Sequence, residues 1–202
     1  MSSPPDAGPY QGPDATEDTT GSIDSTVAND VGVPDAASPP MDAPPDVPSC
    51  TTCAIELKYQ CSITTDPSQE IGPHYDIYNN GTSTQSLTEL TVRYYYTADG
   101  SQTQAYSCDY AQIGCGLVQA NFVAMPAPKA TADHYLEISF TGGSIAAGSH
   151  TGDIQNRFHD TSYQSTFTQK NDYSFDPSKT QFTDWDHVTV YRAGTLVWGV
   201  EP

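Results

Sequence analysis

The stretch TVRYYYTADG, Thr91 to Gly100, decides how the rest of the chain is read. Three tyrosines beside an arginine, closed by Asp-Gly, read as a β-strand whose two faces do different work. Alternate residues of a strand point to opposite sides. Leu90, Val92, Tyr94 and Tyr96 therefore share one face, while Thr91, Arg93 and Tyr95 share the other. The stretch HYLEISF, 134–140, sorts the same way, with Leu136, Ile138 and Phe140 inward and Tyr135, Glu137 and Ser139 outward. If both strands lie in one sheet, Arg93, Tyr95, Tyr135 and Glu137 line a shared polar and aromatic surface that suits sugar or peptide. A solvated sheet face with one Arg–Glu pair gives the same pattern.

Working outward from this strand, AIELKYQC alternates, with Ile55, Leu57 and Tyr59 on one side. HYDIYNNGT, NFVAM, DIQNRF and DHVTVYRAGTLVWGV follow the same style, each short and bounded by Gly, Pro, Asn or Ser. Regularly spaced short strands without helical periodicity predict an all-β antiparallel sandwich or barrel. The closing VTVYRAGTLVW predicts a hairpin that turns near Ala193-Gly194. No internal repeat is visible.

The segment before these strands is of another kind. Residues 1–49 hold ten of the 16 prolines and no Lys or Arg. Such a segment has too little apolar surface to offset the entropy of ordering it, which predicts a disordered, acidic, Pro-rich linker ahead of one folded domain over 50–202. The formal net charge of -18 repels phosphate backbones and anionic lipid, so nucleic acid and membrane are excluded as partners. MSSPPDAGPY has neither the basic start nor the apolar stretch of a signal peptide, so export information is expected upstream, or Met1 is not the native start. Cys108 and Cys115 bracket a short loop that suits a disulfide. Cys50, Cys53 and Cys61 cannot all pair with one another, and their pairing stays open. Cysteine usage favours an oxidising, extracellular setting.

The blocks LTELTVRYYYTADG, CDYAQIGC, HYLEISFTGG, IQNRF, TQKNDYSF and VTVYRAGTLVWGVEP, in this order, resemble the family 3 carbohydrate-binding modules, the cellulose-binding domains of bacterial cellulases and cellulosome scaffolds. The likeness covers about 55–202 and implies a nine-stranded, jelly-roll-like antiparallel β-sandwich. It implies a structural calcium site at Thr97, Asp99, Thr168, Asn171 and Asp172, whose hard oxygens suit that ion. It also implies a flat strip that adheres to cellulose or a related β-glucan. There Asp109 and Arg157 match an ion pair, Tyr110 and Tyr163 match ring positions, and Gln155 matches an anchoring position. A shallow groove on the opposite sheet takes in Arg93, Tyr95, Tyr135 and Glu137 and adds Tyr173. A further strip tyrosine of scaffold-type members has no counterpart in the shortened CGLVQAN, which predicts weaker adhesion than in the best binders.

Catalysis is not expected. A glycosidase needs two carboxylates flanking a cleft, and here Asp99 and Asp172 are assigned to calcium, Asp109 to Arg157 and Glu137 to Arg93. The expected protein is a secreted monomer that holds an attached enzyme or cell surface on polysaccharide, with a glycoside hydrolase domain as a candidate upstream neighbour. Two alternatives are an accessory module extending such a hydrolase's cleft and a module that binds linker peptides in its groove.

Overall fold

The computed structural model describes residues 54–100 and 102–202. The linker predicted for 1–49, together with Cys50 and Cys53, lies outside them. Among the described residues, nine strands of four or more residues carry the architecture: β1 (Ile55–Cys61), β2 (Pro73–Asn79), β3 (Leu90–Tyr96), β4 (Gln104–Ala111), β5 (Val118–Lys129), β6 (Ala132–Phe140), β7 (Ile154–Asp160), β8 (Val188–Arg192) and β9 (Thr195–Trp198). Five two-residue segments supplement them, among them Glu70–Ile71, Ser149–His150 and Thr183–Asp184.

Two antiparallel sheets result. In the first, β1 pairs β2, β2 pairs the start of β7, and β4 runs the whole length of β7. Glu70–Ile71 covers the far end of β7 on its other side. The second sheet runs β9-β8-β3-β6-β5. Period-2 patterning fills the space between them: β1 alternates buried and half-buried residues without a break. Leu57, Tyr75, Ile77, Ile154 and Phe158 from the first sheet meet Val92, Tyr94, Tyr96, Leu136 and Val190 from the second. Phe158 packs against Tyr96 at 4.9 Å and Tyr94 at 6.2 Å between ring centroids, so the sheets close on aromatic contacts. Each fully buried side chain of this size contributes about 1.5–3 kcal/mol.

The opening strand behaves as its alternation predicts on the core side. Leu90, Val92, Tyr94 and Tyr96 are all buried. Arg93 faces Glu137 and Tyr95 faces Tyr135 across the β3–β6 ladder, as one shared outer surface requires. One expectation fails there. Tyr95 is only 2% exposed. Its hydroxyl lies 3.0 Å from Thr189 Oγ1 and 3.1 Å from that of Tyr191, and the Tyr135 and Tyr173 rings meet it edge-on at 5.7 and 6.0 Å. Neighbouring rings roof it, so an outward residue became a second, smaller core.

The β8–β9 hairpin turns through Ala193 and Gly194, both at positive φ (48° and 79°), the form that matches strand twist in two-residue turns. Cys108 and Cys115 form the expected disulfide, and among the described residues Cys61 is a buried free thiol.

Candidate functional site

The outer face of the first sheet gathers the five residues expected to contact glucan. On β7, Ile154, Asn156 and Phe158 face the core, so Gln155, Arg157 and His159 face out. Tyr110 is the ladder partner of Gln155 and therefore shares that face. Its neighbour Asp109 should then point inward, but it is exposed as well. The register explains this. Gln155 pairs Tyr110 and Asn156 pairs Cys108, which leaves Asp109 as an extra residue in a β-bulge. Asn156, fully buried, steadies the bulge: its Oδ1 accepts the Tyr106 hydroxyl at 2.6 Å, and its Nδ2 donates to Pro73 O at 3.1 Å.

Arg157 then meets Asp109 side-on. Nε donates to Oδ2 at 3.0 Å and Nη2 to Oδ1 at 3.1 Å, a fork that fixes the guanidinium plane. The remaining nitrogen, Nη1, donates to Glu70. Hydrogen bonding from Arg157 holds the Asp109 carboxyl below the usual carboxylate range, and the two acids raise the guanidinium in turn. Gln155 donates its amide to Asp153, leaving its carbonyl oxygen as the group available to a ligand.

Tyr163 completes the row. It follows β7 in a loop organised by Asp160, whose oxygens accept Ser162 N at 2.9 Å and Ser165 N at 3.1 Å. Its own φ is +55°, uncommon for a non-glycine residue. In that conformation its ring lies on His159 at 3.9 Å and 15°, close to parallel. His159 is buried underneath, so the far side of Tyr163 is open. Tyr110 and Tyr163 are 49% and 41% exposed, two of the three large hydrophobic residues so exposed among the described residues. Tyr110, Arg157 and His159 with Tyr163 are thus spaced at two-residue steps along β7, about 7 Å each. The sequence reading missed Glu70, His159 and Asp153. Glu70 is 87 positions from Arg157 in sequence, while His159 and Asp153 lie close by on and beside β7, where no local pattern marks them as supports.

The residues predicted for calcium converge as well. Asp172 Oδ1 accepts Thr97 N at 2.7 Å and Thr97 Oγ1 at 2.8 Å, and Thr97 Oγ1 lies 3.1 Å from Asn171 Oδ1. Asp99 Oδ2 accepts Thr168 N at 2.5 Å. The turn after β3 is thereby tied to a loop some 70 positions later. Among the described residues no cluster of three or more His, Cys, Asp or Glu suits a metal, and this set brings two carboxylates with neutral oxygens. One observation tests the fit: among the described residues, Asp172 Oδ2 is buried without a partner. Burial, with Asp99 and Asp133 nearby, pushes its carboxyl up to about 8. An oxygen-seeking cation would satisfy that atom and offset the repulsion, so the residues fit the ion.

The second outer face carries the groove residues. Arg93 donates to Glu137 at 2.9 Å and lies over the Tyr135 and Tyr191 rings at 4.5 and 4.2 Å. Tyr173 stacks on His187 at 4.1 Å and donates to Val200 O. A cavity of about 340 Å³ is lined by Arg93, Tyr95 and Tyr135 together with Met125, Lys129 and Glu201, so Tyr95, though nearly buried, still borders the groove.

Residues 56–199 match the model of a family described as a cellulose binding domain. Cellulosomal-scaffolding protein B of Acetivibrio thermocellus is 42% identical over 157 residues, which is 73% of this chain and 20% of that protein. A xyloglucanase of a Paenibacillus species is 40% identical over 74% of this chain and 14% of its own length. The chain thus spans a fifth or less of these two relatives. A solved CBM3a-L domain with flanking linkers, from scaffoldin cipA of the Clostridium thermocellum cellulosome, superposes with TM-score 0.69 at 42% identity, covering 74% of this chain and 91% of that one. CBM3b of the scaffoldin subunit ScaA from Acetivibrio cellulolyticus gives 0.71 at 34%, covering 74% and 97%.

Proposed function

The chain belongs to the cellulose binding domain family, and we propose that it is a non-catalytic module that adheres to cellulose and holds an attached partner there. The observation that carries this reading is the row along β7: exposed Tyr110 on β4 and Tyr163 after β7, with the Arg157–Asp109 fork between them. Glucan in cellulose is uncharged, with apolar ring faces and hydroxyls at the edges. Tyr110 and Tyr163 offer apolar faces, while the fork and the Gln155 carbonyl offer hydrogen bonds beside them. His159 serves as a shelf that keeps Tyr163 flat.

Calcium bound by Thr97, Asp99, Thr168, Asn171 and Asp172 would be structural, supplying positive charge to a buried carboxylate. It touches no part of the strip. The partner is a glycoside hydrolase or a cell-surface assembly outside the cell, with residues 1–49 as the spacer. Scaffold and enzyme relatives support this reading.

Adsorption to microcrystalline cellulose tests the proposal. Retention is expected, and its loss is expected when Tyr110 and Tyr163 are both replaced by alanine. A wild-type protein that stays in the supernatant, or a double variant retained as well as wild type, removes the reading.

A further inference from the structure

The positive charges on the first sheet's outer face share an arrangement that adhesion to a neutral polymer does not require. Arg157 is bracketed by Asp109 and Glu70. Lys58, on β1 of the same face, is bracketed in the same way, 3.7 Å from both Glu56 and Asp184. Asp76 sits across the ladder from Lys58, and Asp153 holds Gln155 beside Tyr110. His74, between Asp153 and Asp109, brings no compensating charge, because burial lowers its basicity. Each cation is therefore outnumbered by acids within its own contacts. One carboxylate is enough to level the guanidinium of Arg157; the second changes its charge balance from neutral to negative.

From this geometry we infer that Glu70 is a specificity-determining residue, through which the strip accepts neutral glucan and rejects polysaccharides that bear carboxylates. The inference rests on the proposed strip. An arginine among sugar-facing rings would ordinarily recruit a uronate by bidentate pairing. Here three of its N–H donors already serve carboxylates, and an incoming acid would approach two like charges at the point of contact. Specificity then comes from a built-in repulsion as much as from attraction to the favoured ligand. The net charge of -18 adds a long-range repulsion of the same sign, which salt screens. The contact with Glu70 is short-range, and part of its effect persists in salt.

The test compares adsorption to microcrystalline cellulose with adsorption to the same cellulose after oxidation of part of its surface primary hydroxyls to carboxylates. The crystal is kept and only the charge differs. Wild-type retention is expected to fall on the oxidised support. Glu70→Gln is expected to raise the oxidised-to-unmodified retention ratio on the order of threefold in moderate salt, the effect of one exposed like-charge contact. Glu89→Gln, an exposed acid outside this face, removes the same unit of net charge and serves as the control. Equal ratios for the two variants, or a wild type that binds both supports alike, overturn the inference and leave the strip standing. No retention on unmodified cellulose overturns both.

Discussion

Arg157 lies between two carboxylates, and the rings in its row, Tyr110 and Tyr163, stay 49% and 41% exposed. Arg93 on the opposite sheet lies between two rings, and Tyr95 and Tyr191 there are 2% and 7% exposed. The two outer faces draw on the same residue types: tyrosines, one arginine and a few acids. Both arginines hold carboxylates, Arg93 through Glu137 at 2.9 Å; what differs is that Arg93 also lies over two rings. A guanidinium stacked on aromatic faces uses up the surface that a flat ligand would need, so rings and cation consolidate into a packed layer. A guanidinium held edge-on by carboxylates uses none of it. On one face the rings packed together beside a cavity, and on the other they stayed exposed.

The largest expected effect comes from the open rings. Replacing both Tyr110 and Tyr163 by alanine should lower retention on cellulose at least about tenfold, each ring contributing roughly 1–2 kcal/mol. The matching pair on the roofed face, Tyr135→Ala with Tyr173→Ala, should leave retention within about twofold while lowering the melting temperature, since contributions there are to packing. Similar losses of retention from both pairs would erase the distinction between the faces.

Calcium sharpens the comparison from another direction. Asp172 adjoins Tyr173 on the roofed side, so chelation should lower the melting temperature by about 5–10 °C and change retention much less. The pH dependence has a definite sign. In metal-free protein Asp172 is raised to about 8, so the folded state holds a proton that the unfolded state releases near pH 4, and stability falls as pH rises between those values. Bound calcium would take the ionised form and remove that loss. Its stabilising effect should be greater near pH 8 than near pH 5.5, and should vanish in Asp172→Asn.

Exchanging the roles of the two arginines gives a smaller contrast. Arg157→Ala should weaken retention about three- to tenfold with little change in melting. Arg93→Ala should cost about 1–2 kcal/mol of stability, or about 3–6 °C, with retention unchanged. The smallest effect concerns acid. Asp109 is held below the usual carboxylate range, so its ion pair persists as pH drops through that range and fails only beneath it. Retention should stay level from about pH 8 to about pH 4, and a decline centred near pH 6 would show that another group controls the strip.

How much of this was legible in the sequence depended on distance along the chain. Period-2 alternation set the core side of β1, β3 and β6 residue by residue, because burial follows a local rule. The same rule placed Tyr95 outward correctly and still misjudged its exposure, since the rings that cover it come from positions 135, 173 and 191. Asp109, Tyr110 and Arg157 could be named from motif likeness, but their sharing of one face depended on an irregularity in pairing that no local pattern announces. Glu70 and His159, which brace Arg157 and Tyr163, became visible only once β7 had neighbours on both sides.

The extra residue in β4 has one more consequence. An ordinary strand can show outward either an aromatic side chain or the acid next to it, because adjacent positions alternate. Accommodating both requires two residues between Cys108 and Ala111 where their partners on β7, Asn156 and Ile154, have one. In the proposed strip, adhesion to polysaccharide would turn on a count as much as on chemistry. If the proposed strip adheres, a deletion of one codon there is expected to abolish adhesion while the interior and its tyrosines remain as they are.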